Sequence, residues 1–253
     1  VTLLMSGQEK FDDLFQAIRQ AKSSVHLEYF NFRNDSIAGL LFDLLGEKVK
    51  EGVKVRALFD GFGNASNNQP LLKKHIKSIR ERGIEIYEYK PMKFPWINAV
   101  FNRDHRKIVV IDGHTAFTGG VNLADEYINH IEKYGRWKDS ALMLEGEGVR
   151  SMTALFLQMW CILRQPEFEQ FLSDPIPAAA NAKGFVVPYG DCPLDGERVG
   201  EMVYIDLLNR ARHSVHIITP YLILDGELET ALRFAAERGV DVHLILPGKP
   251  DKV

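Results

Sequence analysis

The sequence is nearly without cysteine. Cys161 and Cys192 are the only two among 253 residues. They show neither metal-ligand spacing nor a disulfide framework, so a reducing compartment is the simpler reading. Long apolar runs are missing as well. The longest candidate, around Val215 to Leu224, is broken by Thr219 and Pro220, short of the roughly eighteen apolar residues a spanning helix needs. No signal peptide is visible, but the first residue is Val1 rather than Met, so the chain reads as a piece of a longer protein. A strong charge of either sign is also lacking: the net charge is -3, which speaks against a dedicated nucleic-acid binder. What is there, 45% apolar and 26% charged residues, is an ordinary globular composition. It suffices for one large domain or two of ordinary size.

The chain repeats itself. FDDLFQAIRQAKSSVHLEYF, from Phe11, is followed by LLFDLLGEKVKEGVKVRALFDG. VYIDLLNRARHSVHIITPYL, from Val203, is followed by LETALRFAAERGVDVHLILPG. Each pair predicts an amphipathic helix, a short strand, a second helix and a second strand. Ser24, Val25 and His26 align with Ser214, Val215 and His216, and Gly52-Val53 aligns with Gly239-Val240. The expected architecture is α/β, with duplicated β-α-β units and central mixed, mainly parallel sheets flanked by helices. Between the copies, SDPIPAAANAKG (173–184) is rich in Pro, Ala and Asn and predicts a linker. The first domain then spans 1–172. The second, 185–253, is only the N-terminal part of a copy.

The stretch DHRKIVVID, residues 104–112, carries the chemistry. The run Ile108 to Ile111 predicts a buried strand with His105 and Lys107 on one side of its leading edge and Arg106 on the other. Asp112-Gly113 predicts a turn. TAFTGGVN then predicts a second short strand that ends in Gly119, Gly120 and Asn122. Small residues there let backbone N–H groups approach a ligand, and Asn122 adds a side-chain donor. An imidazole beside an ammonium, with amide donors nearby, suits a phosphoryl group. The imidazole attacks or moves a proton, and the cation and donors stabilise oxygen charge. A lone His and Lys would more often be a partly buried strand end with a snorkelling lysine. The full pattern H-x-K-x(4)-D-x(6)-G-G-x-N is far more specific.

That pattern resembles the HKD signature of the phospholipase D superfamily. FNRDHRKIVVIDG, GGVNLADEY and GRWKD are similar to the bacterial cardiolipin synthase branch, as are HSVHIITPYLILDGEL and GVDVHLILPGKPDK in the second half. The resemblance implies a phospholipase D-like fold and a phosphatidyltransferase. That enzyme joins two phosphatidylglycerol molecules into cardiolipin, releases glycerol and passes through a phosphohistidine. It implies a catalytic set of His105, Lys107 and Asp112. His105 is nucleophile or acid/base partner, and Asp112 is more a structural member that fixes the turn. Lys107, Asn122, Gly119 and Gly120 bind the substrate phosphate. A carboxylate from a later strand usually orients the histidine; Asp139 in GRWKD is the candidate and Glu126 the second choice. No metal and no cofactor is implied. In the family two HKD copies build one site, and only one stands before Val253. The second copy is expected from a missing C-terminal part or from a dimer partner, and this chain alone is expected to be inactive. His75, His114, His130, His213 and His243 lack any partner spacing and are read as surface or core residues.

One further stretch bears on partners. YKPMKFPWINAVFNRDHRK, residues 89–107, sets five Lys or Arg against one acid, with Phe94, Trp96 and Phe101 interleaved. Such a mixture suits an anionic membrane surface, and Lys93, Phe94, Trp96 and Arg103 are the expected lipid contacts. It equally suits a buried hairpin loop, or a phosphodiester backbone with bases stacked on the rings. The implied location is the bacterial cell membrane, with the catalytic domain on the cytoplasmic side. The competing readings are a phospholipase D with water as acceptor, an HKD-type phosphodiesterase or nuclease, and a non-enzymatic lipid-binding module.

Overall fold

The computed structural model describes residues 1–92, 101–132, 135–164, 184–191 and 196–248. They divide into two compact units, Val1–Pro188 and Tyr189–Val253. The expected linker lies, up to residue 183, outside the described residues. Among the described residues no helix is long and apolar enough to cross a membrane.

The first unit is built on a seven-stranded sheet. Its strands are β1 (Thr2–Leu4), β2 (Ser24–Tyr29), β3 (Lys54–Asp60), β4 (Glu85–Tyr89), β5 (Ile108–Ile111), β6 (Thr115–Gly119) and β7 (Ala141–Glu145), in the order β1-β7-β6-β5-β2-β3-β4. Among the described residues five helices belong to it: α1 (Gly7–Gln20), α2 (Ser36–Lys50), α3 (Gly61–Ala65), α4 (Lys73–Glu81) and α5 (Val149–Leu163). β2 and β3 pair in parallel through α2, as the repeat predicts. The sheet is mixed, but outside β2-β3-β4 its pairings are antiparallel, not mainly parallel. The reason is local. Asp112 and Gly113 both take positive φ, so β5 folds straight back into β6, and a short connection permits only antiparallel pairing.

Side chains alternate across the central strands. Val109 and Ile111 join Val25, Leu27, Tyr29, Phe11, Leu14 and Leu41 in the main core. Ile108 and Val110 face the other way, with Ala116, Leu144 and Met152 of α5. Helices thus cover both faces, and every residue of β2 is buried. Caps fix where the helices start. Ser6 accepts from the Glu9 N–H at the head of α1, and Asp35 caps α2 through Ala38. Asp125, on the 3₁₀ turn Asp125–Ile128, accepts from Ile37 N–H at 2.8 Å, while Asp35 accepts from Asp125 N–H at 2.8 Å. This reciprocal pair straps the 121–128 region to the start of α2.

The second unit has α6 (Val199–Arg210), β8 (Ser214–Ile218), α7 (Gly226–Glu237) and β9 (Asp241–Ile245). β8 and β9 pair in parallel with Val215 opposite Val242, as Val25 stands opposite Val55 in the first unit. Its core is small, around Leu208, Ala231 and Leu232.

Candidate active site

β5 begins at Ile108, so His105 and Lys107 precede the strand instead of lying in it. Side chains hold the segment before it. The buried carboxylate of Asp60, at the end of β3, accepts from Asp104 N–H at 3.0 Å and from Arg103 Nη1 at 3.3 Å. It also caps α3 through the Phe62 and Gly63 N–H groups. Arg103 donates further to the Lys90 carbonyl at 2.8 Å. Its guanidinium is therefore turned into the protein, which corrects the expected lipid contact at Arg103: neutralising a buried carboxylate outweighs exposure to solvent. Lys93, Phe94 and Trp96 lie outside the described residues.

Beyond Arg103 the side chains alternate. Arg106 turns to the α5 face, with Nε 2.8 Å from Glu28 Oε1 and 3.3 Å from Asp104 Oδ1. Burial, and then the nearby Asp104 carboxylate, push the Glu28 carboxyl well above its usual range. His105 and Lys107 turn the other way and meet. Lys107 Nζ lies 3.1 and 3.3 Å from the two imidazole nitrogens and donates to the His105 carbonyl at 2.6 Å. Phe30 walls the pair, its ring 4.7 Å from that of His105 and 5.5 Å from Lys107 Nζ. His105 is exposed and Lys107 is buried. Burial lowers the Lys107 pKa to about 8, against the upward pull of Asp104 and Asp139. At neutral pH the ammonium stays charged in a poorly solvated place, where it acts strongly on an anion.

The two glycines have a steric reason. A Cβ on Gly119 would stand 2.6 Å from the Ser140 carbonyl oxygen, and one on Gly120 would stand 2.5 Å from Asp139 Oδ1. The Asp139 carboxylate thus packs directly on Gly120. Trp137 Nε1 donates to it at 3.3 Å and Ser140 N–H at 2.8 Å. Its charge acts on Lys107. Asn122 is buried close by in sequence, with Nδ2 2.8 Å from the Tyr127 hydroxyl and Oδ1 without a partner among the described residues. A hydroxyl both donates and accepts, so a half-turn of the amide exchanges the two atoms. Either way one buried amide atom is left for a ligand.

Two predicted residues stand apart. Glu126 pairs with buried Arg33 at 3.0 Å. Asp112 lies at the far end of β5, roughly 17 Å from Lys107 at ~3.4 Å per strand residue. Its carboxylate accepts from the N–H groups of Lys22, Ser23 and Ser24 and from the Ser23 hydroxyl, at 2.7–2.9 Å. Burial opposes its charge, but these bonds outweigh it and hold the carboxyl below its usual range. Asp112 therefore leaves the catalytic set and pins the turn of β5 to the start of β2. His26, on β2, is a buried core residue stacked on Phe156 at 4.8 Å.

Sequence reasoning missed Lys10. On α1 the buried residues are Gly7, Lys10, Phe11, Leu14 and Ile18; the spacing alone puts the lysine on the apolar face. Its Nζ donates to the Tyr29 hydroxyl at 2.7 Å and to the Val121 carbonyl at 3.2 Å.

An α/β sheet that mounts an imidazole–ammonium pair ahead of a central strand is a phospholipase D-like arrangement of donors, of a kind suited to a phosphoryl-type anion. The chain belongs to the family described as cardiolipin synthase, phospholipase D-like domain, which matches residues 14–160 and 204–253. Cardiolipin synthase 1 of Bacillus cereus is 35% identical over 259 residues, covering 99% of this chain and 50% of the relative. Cardiolipin synthase of Halalkalibacterium halodurans is 36% identical over 258 residues, covering 99% of this chain and 49% of the relative. The chain spans about half the length of the curated relatives it matches. The fold is similar to that of phosphatidylserine synthase from Haemophilus influenzae, with a TM-score of 0.69 and 16% identity over 97% of this chain and 61% of that one.

Proposed function

We propose that the protein carrying this chain is a phosphatidyltransferase that makes cardiolipin from two phosphatidylglycerol molecules. The meeting of His105 and Lys107 carries the reading, with the unfilled Asn122 amide just past the end of β6 that pairs with the start of β5. A His105 ring nitrogen attacks phosphorus, and the P–O bond to glycerol breaks. The leaving oxygen takes a proton from a second acid, which the family pattern assigns to a second HKD copy. That group then takes the proton from the free hydroxyl of another phosphatidylglycerol. The hydroxyl oxygen attacks, the P–N bond breaks, and His105 is released. Lys107, Asn122 and the Gly119-Gly120 backbone hold the phosphoryl oxygens, and Asp139 orients the imidazole. No cofactor enters this scheme. Residues 1–172 and 185–253 act as one complete phospholipase D-like domain and the start of a second, at the cytoplasmic face of a bacterial membrane.

The test uses the full-length protein in membranes with labelled phosphatidylglycerol, following lipid products and glycerol together. Cardiolipin with matching glycerol supports the transferase. Phosphatidic acid without cardiolipin makes water the acceptor and the protein a phospholipase D. The absence of any lipid product overturns the reading and leaves the nuclease or the lipid-binding module.

A further inference from the structure

Lys10 is a lysine where an amphipathic helix ordinarily carries a leucine. It is 2% exposed, and a buried ammonium is unfavourable unless something needs it. Its Nζ stands over the rings of Phe11 at 4.7 Å and Tyr29 at 4.6 Å, and its two hydrogen bonds go to Tyr29 and to the Val121 carbonyl. The Val121 carbonyl and the Asn122 N–H are the two ends of one planar peptide unit. A cation on the oxygen polarises that unit and makes the N–H a stronger donor. The same Asn122 keeps a buried amide atom without a partner among the described residues.

We propose that Lys10 is a positioning residue for phosphoryl transfer: it holds and polarises the Val121–Asn122 peptide, so that Asn122 meets a phosphoryl oxygen in one fixed geometry. The inference rests on the phosphoryl-transfer reading above. Electrostatics support it. Burial lowers the Lys10 pKa to about 7, with Asp139 pulling it up and Lys107 pushing it down. The groups around it are Tyr29 on β2, Lys107 ahead of β5 and Asp139 ahead of β7. On the 3₁₀ turn, Glu126 is held by Arg33 and Tyr127 by Asn122. On α2, Lys48 sits on the Arg19 carbonyl at the other end of α1, and Asp43 pairs with Arg82. β1 and β6 carry no ionisable side chain. Lys10 is thus charged below neutrality and loses that charge just above it.

The test compares full-length wild type with Lys10→Met, using phosphatidylglycerol turnover between about pH 5.5 and about pH 9.5, and inorganic tungstate as a phosphate mimic in calorimetry. Lys10→Met should lower kcat by ~10- to 100-fold and leave KM within about 3-fold, the pattern of a contact felt mainly in the transition state. The basic limb of the kcat profile should move to higher pH, from about 7 toward about 8, because wild type loses the Lys10 charge first and Lys10→Met is left with the titration of Lys107. Tungstate should bind about 10-fold more weakly at pH ~6 and equally at pH ~9. Tm at pH ~6 should hold or rise, because an unfavourable buried charge is gone. A fall in kcat that comes only with a fall in Tm, the pH limb and tungstate affinity unchanged, overturns the proposal in favour of packing. If Lys10→Met does not fold, Tyr29→Phe, which removes one of the two Nζ partners, is read by the same limb and the same anion. If wild type makes no lipid product, the phospholipid reading fails while tungstate still decides Lys10: indifference to the substitution overturns it.

Discussion

Two lysines set the charge of the site, and burial loosens the proton on each. Lys107 titrates near 8 and Lys10 near 7, both below the ordinary lysine value of 10.5. For turnover the sign is direct. Phosphoryl oxygens need cations, so activity should fall as pH rises past about 7, where Lys10 loses its charge, and again past about 8, where Lys107 does, and Lys107→Met should lower kcat by roughly 100-fold or more. His105→Ala should abolish turnover in the full-length protein; unchanged turnover would remove the nucleophile assignment. For stability the sign is the opposite. A lysine whose folded pKa is lowered binds fewer protons in the native state, so stability rises with pH from about 7 toward 10.5. Denaturant midpoints taken across that range should climb in wild type and flatten in Lys10→Met. Asp112 works the other way. Its folded carboxyl sits below the usual range, so its contribution is present above the unfolded carboxylate pKa and is lost as pH falls through the folded value. Asp112→Ala leaves four donors unmatched and should cost ~1–3 kcal/mol, while kcat per folded molecule stays within a few-fold. A loss of kcat with stability intact would return Asp112 to the catalytic set.

Short loops between strands do the aligning. The 119–122 loop is strapped on one side by Arg33 N–H to Leu123 O at 3.1 Å and on the other by the 139–141 segment, whose backbone lies against Gly119 and whose Asp139 carboxylate lies against Gly120. Gly120→Ala forces its Cβ onto Asp139 Oδ1, so the carboxylate must move. We expect kcat to fall ~10- to 100-fold, because small misplacements at a reacting centre are felt strongly, with ~1–3 kcal/mol of overpacking. Equal kcat in Gly120→Ala would separate Asp139 from the chemistry. At this scale the sequence was readable where spacing is local. The β-α-β repeat and the His105/Lys107 juxtaposition follow from periods of 3.6 and two, and the Asp112-Gly113 turn from the Asp-Gly preference for positive φ. Asp60 on Arg103, and Lys10 on Val121, join residues 43 and 111 positions apart, and no local period encodes such contacts. Arg103 looked like a membrane cation for that reason. Lys10 was visible as an apolar-face lysine on α1, but a lysine there is ordinarily discounted as a solvated side chain.

The repeat also sets the described strands of the second unit against those of the first. In the first unit β2 pairs with β3 on one edge and with β5, the strand behind His105, on the other; all its residues are buried. β8 repeats β2, pairs in parallel with β9, and alternates between exposed and half-buried. Ile218 is 77% exposed, although it occupies a strand whose counterpart is wholly interior. Among the described residues β8 pairs only with β9, and a strand edge left open in that way seeks a partner. The curated relatives are about twice as long as this chain, so their remaining sequence can provide one. In the full-length protein, an antiparallel strand bearing the second acid/base histidine should sit on the β8 edge. Amide exchange at Ser214–Ile218 should then be slower by ~100-fold or more than in the 253-residue chain alone. The chain alone should also give no detectable cardiolipin, because protonating the leaving glycerol needs a second group. Equal exchange in both forms would mean that β8 remains an edge, and that the second acid comes from elsewhere, such as another copy of the protein.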